Sequence, residues 1–426
     1  MSTTLPDAAT SPPALLAEPL RLPCGAVLKN RIAKAPLTEG LADEHNRATP
    51  RLARLYGRWA DGGAGLLVTG NVQVDRRYLE RPGNVVIDRG ATESTEARAA
   101  LEAYARAGTR HGTHLFMQIN HPGRQSPRRI CAEPVAPSAV PLNLPISAFA
   151  PPRAMTVPEI LDTIARFVHV SMVARETGFT GVQVHAAHGY LASQFLTPLV
   201  NRRSDAWGGP LENRARFLLE IVRGIRRTCG ADFPISIKLN SSDFQQGGFS
   251  NEECLQVVRW LGAATADLIE ISGGNYERPS MMGAGVKEST IEREAYFIEY
   301  AAAIRAATQV PLMLTGGLRS KRAMQAALAA GACDVIGLGR PLCVDTDLPF
   351  KLLSGAVDAG VAYEDSITPA KAGLGWFCLQ LIRIGDGLVP DRAMGGGYEQ
   401  DGRRVLRIST AGRGHIGDRH RRRAAQ

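Results

Sequence analysis

A (β/α)8 barrel is the fold class that this 426-residue chain predicts. Eight short apolar runs alternate with long amphipathic ones, which is the order of eight strand–helix units. The short runs lack the polar alternation of a half-exposed strand, as suits a parallel sheet covered on its faces. An open doubly wound sheet is the competing architecture, and the GxGxxG of its first turn does not follow any early strand here.

In chain order, residues 1–19 are Pro-rich and read as a flexible leader, and LRLPCGAVLKN reads as a small hairpin. The apolar runs at 32–36, 65–69, 114–119, 181–184, 235–239, 268–271, 312–314 and 335–338 are the eight strands. Between them PRLARLYGRWADGG, ATESTEARAALEAYARAGTRHG, VPEILDTIARFVHVSMVARETG, LENRARFLLEIVRGIRRTCG, NEECLQVVRWLGAATA, TIEREAYFIEYAAAIRAAT and RSKRAMQAALAAG carry helical spacing, with a shorter DLPFKLLSG after the eighth strand. Several open at Pro, Asp or Asn and stop at Gly, which are the usual helix boundaries. The stretch of roughly 120–155 after the third strand is too Pro-rich for regular structure and reads as a long flap. The barrel domain is thus expected over 20–360, a helical extension around LGWFCLQLIRI over 361–394, and a disordered Gly/Arg-rich tail over 395–426.

Composition excludes several classes. With 44 % hydrophobic residues the chain can bury a large core. The first residues do not place a basic segment ahead of an apolar one, and no run approaches the ~18 apolar residues of a membrane helix. A soluble, cytoplasmic protein with no membrane partner is expected. Seven scattered cysteines never form CxxC, so neither a disulfide framework nor a cysteine-rich metal site is indicated. Of the formal charge of +9, the last 26 residues contribute +6 through eight Arg and two Asp, so the basic balance belongs to a tail and does not argue for nucleic acid.

Reactive groups of such barrels gather at the C-terminal ends of the strands. Thr38, Gln118, His185, His188, Tyr190 and Lys238 all meet that condition. The two histidines lack a third ligand at a persuasive spacing, so hydrogen-bond donation toward a substrate oxygen is preferred to zinc or to a purely structural pair. Glycines end the seventh and eighth strands at LTGG and GLGR; Gly316, Gly317 and Gly339, with Arg340, fit a phosphate pocket. Lys238 lies in a strand otherwise fit for burial, where its charge requires either a structural ion pair or a phosphate-bearing cofactor that gains negative charge.

The motifs RIAKAPLT, QINHPGR, HAAHGYLASQFLTPLVNRRSDAWGGPLENRARF, IKLN, ISGG, LTGG and GLGRP, in that order, resemble the old yellow enzymes, FMN-dependent ene-reductases on a (β/α)8 barrel. The resemblance implies that Pro36, Leu37 and Thr38 lie along the flavin ring, with Thr38 near C4=O and N5. It implies that Gly70 permits a close backbone approach and that Gln118 bonds the pyrimidine edge. Lys238 would stand beside N1 and C2=O, while Gly316, Gly317, Gly339 and Arg340 would hold the phosphate. His185 and His188 match the pair that binds an enone carbonyl, and Tyr190 matches the proton donor. NADPH or NADH would be the electron donor and an electrophilic alkene the substrate. Thr38 stands where one branch has a redox-tuning Cys, and Trp207 where relatives often have Tyr, read here as a packing change. Amine or betaine demethylation and nitro-compound or nitrate-ester reduction are the alternatives on the same flavin. A non-catalytic phosphate-binding barrel stands further off, and a homo-oligomer is left open.

Overall fold

The computed structural model describes residues 15–89, 94–144, 148–278, 298–367 and 373–394. The expected leader up to residue 14, the tail from 395 and residues 290–297 of the expected sixth helix lie outside them. Within the expected leader, Leu15–Ala17 forms a 3-10 turn with Leu16 buried, and the Leu16 carbonyl accepts the Arg31 N–H.

The hairpin is present, with β1 (Leu20–Arg21) antiparallel to β2 (Val27–Leu28). The barrel consists of β3 (Ile32–Lys34), β4 (Leu66–Val68), β6 (His114–Asn120), β9 (Gly181–Ala186), β10 (Ile235–Asn240), β11 (Leu268–Ser272), β12 (Leu312–Thr315) and β13 (Val335–Leu338), each parallel to the next. The β13–β3 and β4–β6 pairings close the ring. Strand β5 (Val72–Gln73), not foreseen, extends the edge of β6. The flap is less irregular than its prolines imply: β7 (Val135–Ala136) and β8 (Arg153–Ala154) pair in parallel, and two-residue strands escape any periodicity argument.

Helix starts follow the capping chemistry in the sequence. Pro50 opens α1 (Pro50–Asp61) at N1, and Ser94 caps α2 (Thr95–Gly108) by accepting the Ala97 N–H. Thr156 with Glu159 and Ser250 with Glu253 form capping boxes on α3 (Val157–Glu176) and α6 (Asn251–Ala263). Helices α4 (Leu191–Leu196) and α5 (Leu211–Cys229), then Ile298–Ala307, Lys321–Ala329 and Leu348–Ser354, complete the outer ring. The extension helix Gly373–Gly385 packs against α1.

Two apolar layers result. The larger core lies between the strands and the helices. A smaller cluster fills one end of the barrel: Leu22 and Leu28 of the hairpin plug it against Ala33, Leu66, Val68, Phe116, Leu268, Met313 and Val335. Side chains two residues apart on a strand share a face, so the residue two beyond Phe116 is Gln118 and the one two beyond Leu268 is Glu270. The interior therefore turns from apolar to polar toward the C-terminal ends of the strands.

Candidate active site

That polar layer is continuous. The Gln118 amide donates to Gln183 at 2.8 Å, and Gln183 donates to Ser236 at 3.2 Å and to Glu270 at 2.8 Å. Glu270 in turn pairs with Lys238 at 2.7 Å, both residues being buried. Strand register explains the set: Gln118 lies beside Gln183, and Lys238 lies between His185 and Glu270. Of the two accounts of the Lys238 charge, the ion pair is present, and Glu270, unflagged by any motif, is its partner.

Above this layer stand the three residues of HxxHGY. His185 lies at the C-terminal end of β9, and its Nδ1 accepts the Ala187 N–H at 3.3 Å. A ring nitrogen that accepts carries no proton, so the neutral ring bears its proton on Nε2. His188 takes a left-handed backbone (φ 60°) followed by Gly189 (φ 77°), and this reversal re-aims the chain as it leaves the strand. Its backbone N–H donates to the Asn240 side chain, and its Nε2 shares a hydrogen bond of 2.7 Å with Ser272. The two imidazole centroids are 5.0 Å apart, and that of Tyr190 is 4.7 Å from His185. Burial, then the neighbouring His188 and the charge of Lys238, push His185 well below the usual histidine range; burial and Lys238 do the same to His188. Both rings are therefore neutral at pH 7. Burial, reinforced by the charge of Glu80, pushes the Tyr190 phenol well above its usual value, so it keeps its proton.

Tyr190 shares a 2.9 Å hydrogen bond with the phenol of Tyr276, which follows β11 and approaches Phe149 of the flap at 6.1 Å between centroids. Glu277 ties the two segments, accepting from Arg124 at 2.7 Å and from the Asn143 N–H at 2.7 Å. No sequence motif marks Tyr276 or Glu277, because the link joins loops over a hundred residues apart. Tyr78 is buried, its ring centroid 4.8 Å from that of His121. Trp207 is buried too, with Arg216 over its ring, as the packing reading expects.

The other candidates gather around the same rim. Pro36, Leu37 and Thr38 follow β3 and are half-buried, and Thr38 donates to Glu80 at 2.8 Å. Gly70 follows β4 so closely against this loop that a Cβ there would meet the Leu37 carbonyl at 2.4 Å; its glycine is required by the chain's own packing. Gly316 (φ 129°) and Gly317 (φ 84°) leave β12 in conformations that favour glycine. Just before them the buried Thr315 hydroxyl has no partner among the described residues. Beyond Gly339, Arg340 lies 3.1 Å from Glu364, which also pairs with Arg319. The Arg340 guanidinium beside an unpaired hydroxyl and a glycine turn makes a donor set that fits a phosphate. A hollow of about 680 Å³ opens at the opposite end of the barrel, by Pro23, Cys24 and Thr308, but Arg226 in its wall is already spent on Asp267 and backbone carbonyls. Among the described residues no helix is long and apolar enough to cross a membrane.

The sequence pattern of the NADH:flavin oxidoreductase / NADH oxidase family matches residues 16–358. The chain belongs to this family, that of the old yellow enzymes. It is an FMN-dependent NAD(P)H oxidoreductase. It is 36 % identical over 353 residues to the NADH-dependent flavin oxidoreductase iliE of Hypocrea jecorina (strain QM6a), covering 78 % of this chain and 87 % of that one. Among solved structures it resembles 2-naphthoyl-CoA reductase bound to 2-naphthoyl-CoA, with a TM-score of 0.77 and 27 % identity over 88 % of this chain; the match spans 58 % of that longer chain. It also resembles the old yellow enzyme homologue of Zymomonas mobilis, with a TM-score of 0.68 and 25 % identity, covering 83 % of this chain and 95 % of the other.

Proposed function

We propose that the enzyme reduces the activated C=C bond of α,β-unsaturated carbonyl compounds with NADH or NADPH. The observation that carries this reading is the pair of neutral imidazoles, one with its Nε2 proton fixed by the Ala187 amide, set against a protonated tyrosine. When bound, FMN would supply the redox chemistry between the nicotinamide and the substrate β-carbon.

On this reading Pro36, Leu37, Thr38, Gly70, Gln118 and Lys238 hold the flavin ring, and Gly316, Gly317, Gly339 and Arg340 hold its phosphate. His185 and His188 bind the substrate carbonyl oxygen. As hydride reaches the β-carbon, negative charge builds on that oxygen, and preorganised donors stabilise charge where it develops. Neutral donors suit the step, since the oxygen is uncharged when it binds. Tyr190 gives its proton to the α-carbon, so hydride and proton together saturate the double bond. The relative with 2-naphthoyl-CoA bound, whose carbonyl is conjugated to the ring, supports a conjugated carbonyl substrate.

The test is an absorption spectrum of the purified protein, a phenol titration and rapid kinetics of each half-reaction. Flavin absorbance and a long-wavelength band with phenol are expected, the band weakening in His185→Ala. Tyr190→Phe is expected to slow alkene reduction by about 10²-fold or more, the general-acid range, while sparing reduction by nicotinamide. Equal losses in both half-reactions would remove Tyr190 as proton donor.

A further inference from the structure

The single proton of the neutral His188 ring has two nitrogens to choose from, and the choice decides whether the ring can bind a carbonyl oxygen. For His185 the Ala187 N–H settles the matter by occupying Nδ1. His188 has no such amide. Its one ring hydrogen bond joins Nε2 to the Ser272 hydroxyl at 2.7 Å, and its Nδ1 has no partner among the described residues. Ser272 ends β11 two residues beyond Glu270, so it shares the inward face of that strand and is buried there. Register sets it beside Asn240, whose Oδ1 accepts the His188 N–H at 3.2 Å and whose amide donates to the Gly274 carbonyl at 2.9 Å. Asn240 thus ties the His188 backbone to the turn after β11, while Ser272 meets the ring of the same histidine.

A serine hydroxyl has one proton and two lone pairs, and a neutral imidazole has one donor and one acceptor. Two arrangements fit the 2.7 Å contact. If Nε2 donates, the Ser272 proton has no acceptor among the described residues, and a buried donor left unpaired is costly. If Ser272 donates, its proton is used and the ring proton sits on Nδ1. We infer that Ser272 is a positioning residue that donates to His188 Nε2 and so fixes the ring proton on Nδ1, the nitrogen left free for a substrate oxygen. The inference rests on the proposed binding of the substrate carbonyl by the histidine pair. With the other tautomer His188 would offer that oxygen a lone pair, and repulsion would replace a hydrogen bond. The serine matters because the ring is neutral: a protonated imidazole would donate from both nitrogens.

The tautomer is read directly by NMR. In FMN-loaded protein labelled with 15N in its nine histidines, the shift of each ring nitrogen tells a protonated nitrogen from a bare one, and the signals missing from His188→Asn identify the ring. Nδ1 is expected to be protonated and Nε2 bare in the wild type and in Ser272→Thr, which keeps the hydroxyl. Ser272→Ala is expected to move the proton wholly or in part to Nε2. The dissociation constant of a simple phenol, read from its long-wavelength band, should then rise about five-fold in Ser272→Ala, the size of one net hydrogen bond, and stay near the wild-type value in Ser272→Thr. A wild-type His188 that carries its proton on Nε2, or an Nδ1 proton unmoved in Ser272→Ala, would overturn the role of Ser272. A wild-type protein with the Nδ1 proton in place but no phenol band would instead overturn the carbonyl-binding reading beneath it. Should the threonine methyl prevent folding, the wild-type and alanine spectra carry the test by themselves.

Discussion

Two lysines are buried in barrel strands, and they face opposite ways. Lys238 on β10 points into the barrel, pairs directly with Glu270 at 2.7 Å and adjoins the polar chain through Gln183 and Gln118. Lys34 on β3 points outward, to the layer between strand and α1. Its Nζ donates to the Val68 carbonyl at 2.7 Å and the Tyr56 hydroxyl at 2.9 Å, 4.5 Å from the ring centroid of Trp59. No carboxylate touches it among the described residues; Glu39 is reached only through the Tyr56 hydroxyl, which donates to it. Burial pushes Lys34 down to about 8. Burial of a lysine is thus not by itself a mark of the site: the strand face decides whether it meets the chemistry or the scaffold.

The largest expected effect breaks the inward pair. Lys238→Met leaves Glu270 fully buried and unpaired, and loss of one partner of a buried pair costs about 3–5 kcal/mol. Denaturant titration should show that loss, with Glu270→Gln in the same chain restoring much of it. A restored stability without FMN uptake would mark Lys238 as a cofactor residue as well as a structural one.

A third buried base sharpens the contrast on the acid side, where Lys34 stays charged in both folded and unfolded chains. Burial holds His121 at about 4, opposed in part by Asp75. Its folded value lies below the unfolded one near 6.5, so the unfolded chain binds more protons and stability falls with falling pH. About 2 kcal/mol should be lost between pH 7 and 5, and His121→Gln should lose less.

Lys34 tests the alkaline side. Its depressed value means that the unfolded chain again binds more protons, from about pH 8 up to about 10.5. Relative to Lys34→Met, the wild type should therefore gain about 1.5 kcal/mol of stability between pH 8 and 9.5. A constant difference across that range would show that Lys34 is not the titrating group.

The smallest effect is a shift in titration. The Lys238 charge helps to hold His185 and His188 down, whereas Lys34 is not among the charges acting on either. In Lys238→Met/Glu270→Gln, imidazole titration followed by NMR should move toward the ordinary histidine value, while Lys34→Met should leave it in place.

The barrel and the candidates at its rim were legible in the order of amino acids alone. Eight apolar runs, the Pro and Asn at several helix starts, and the glycines after the last strands are local signals, because hydrogen-bond period and backbone conformation are set within a few residues. HxxHGY was legible for the same reason. Glu270 left a trace, a carboxylate inside the apolar strand LIEIS, but its meaning required register: only closing β10 against β11 shows that its charge answers Lys238. Glu80, Tyr276 and Glu364 left none, since each acts across loops that meet only when the ring closes. Which lysine belongs to the site was likewise settled by the closed ring. A strand's period of two fixes that neighbouring residues face apart, but which side is the barrel interior exists only once the eight strands have closed.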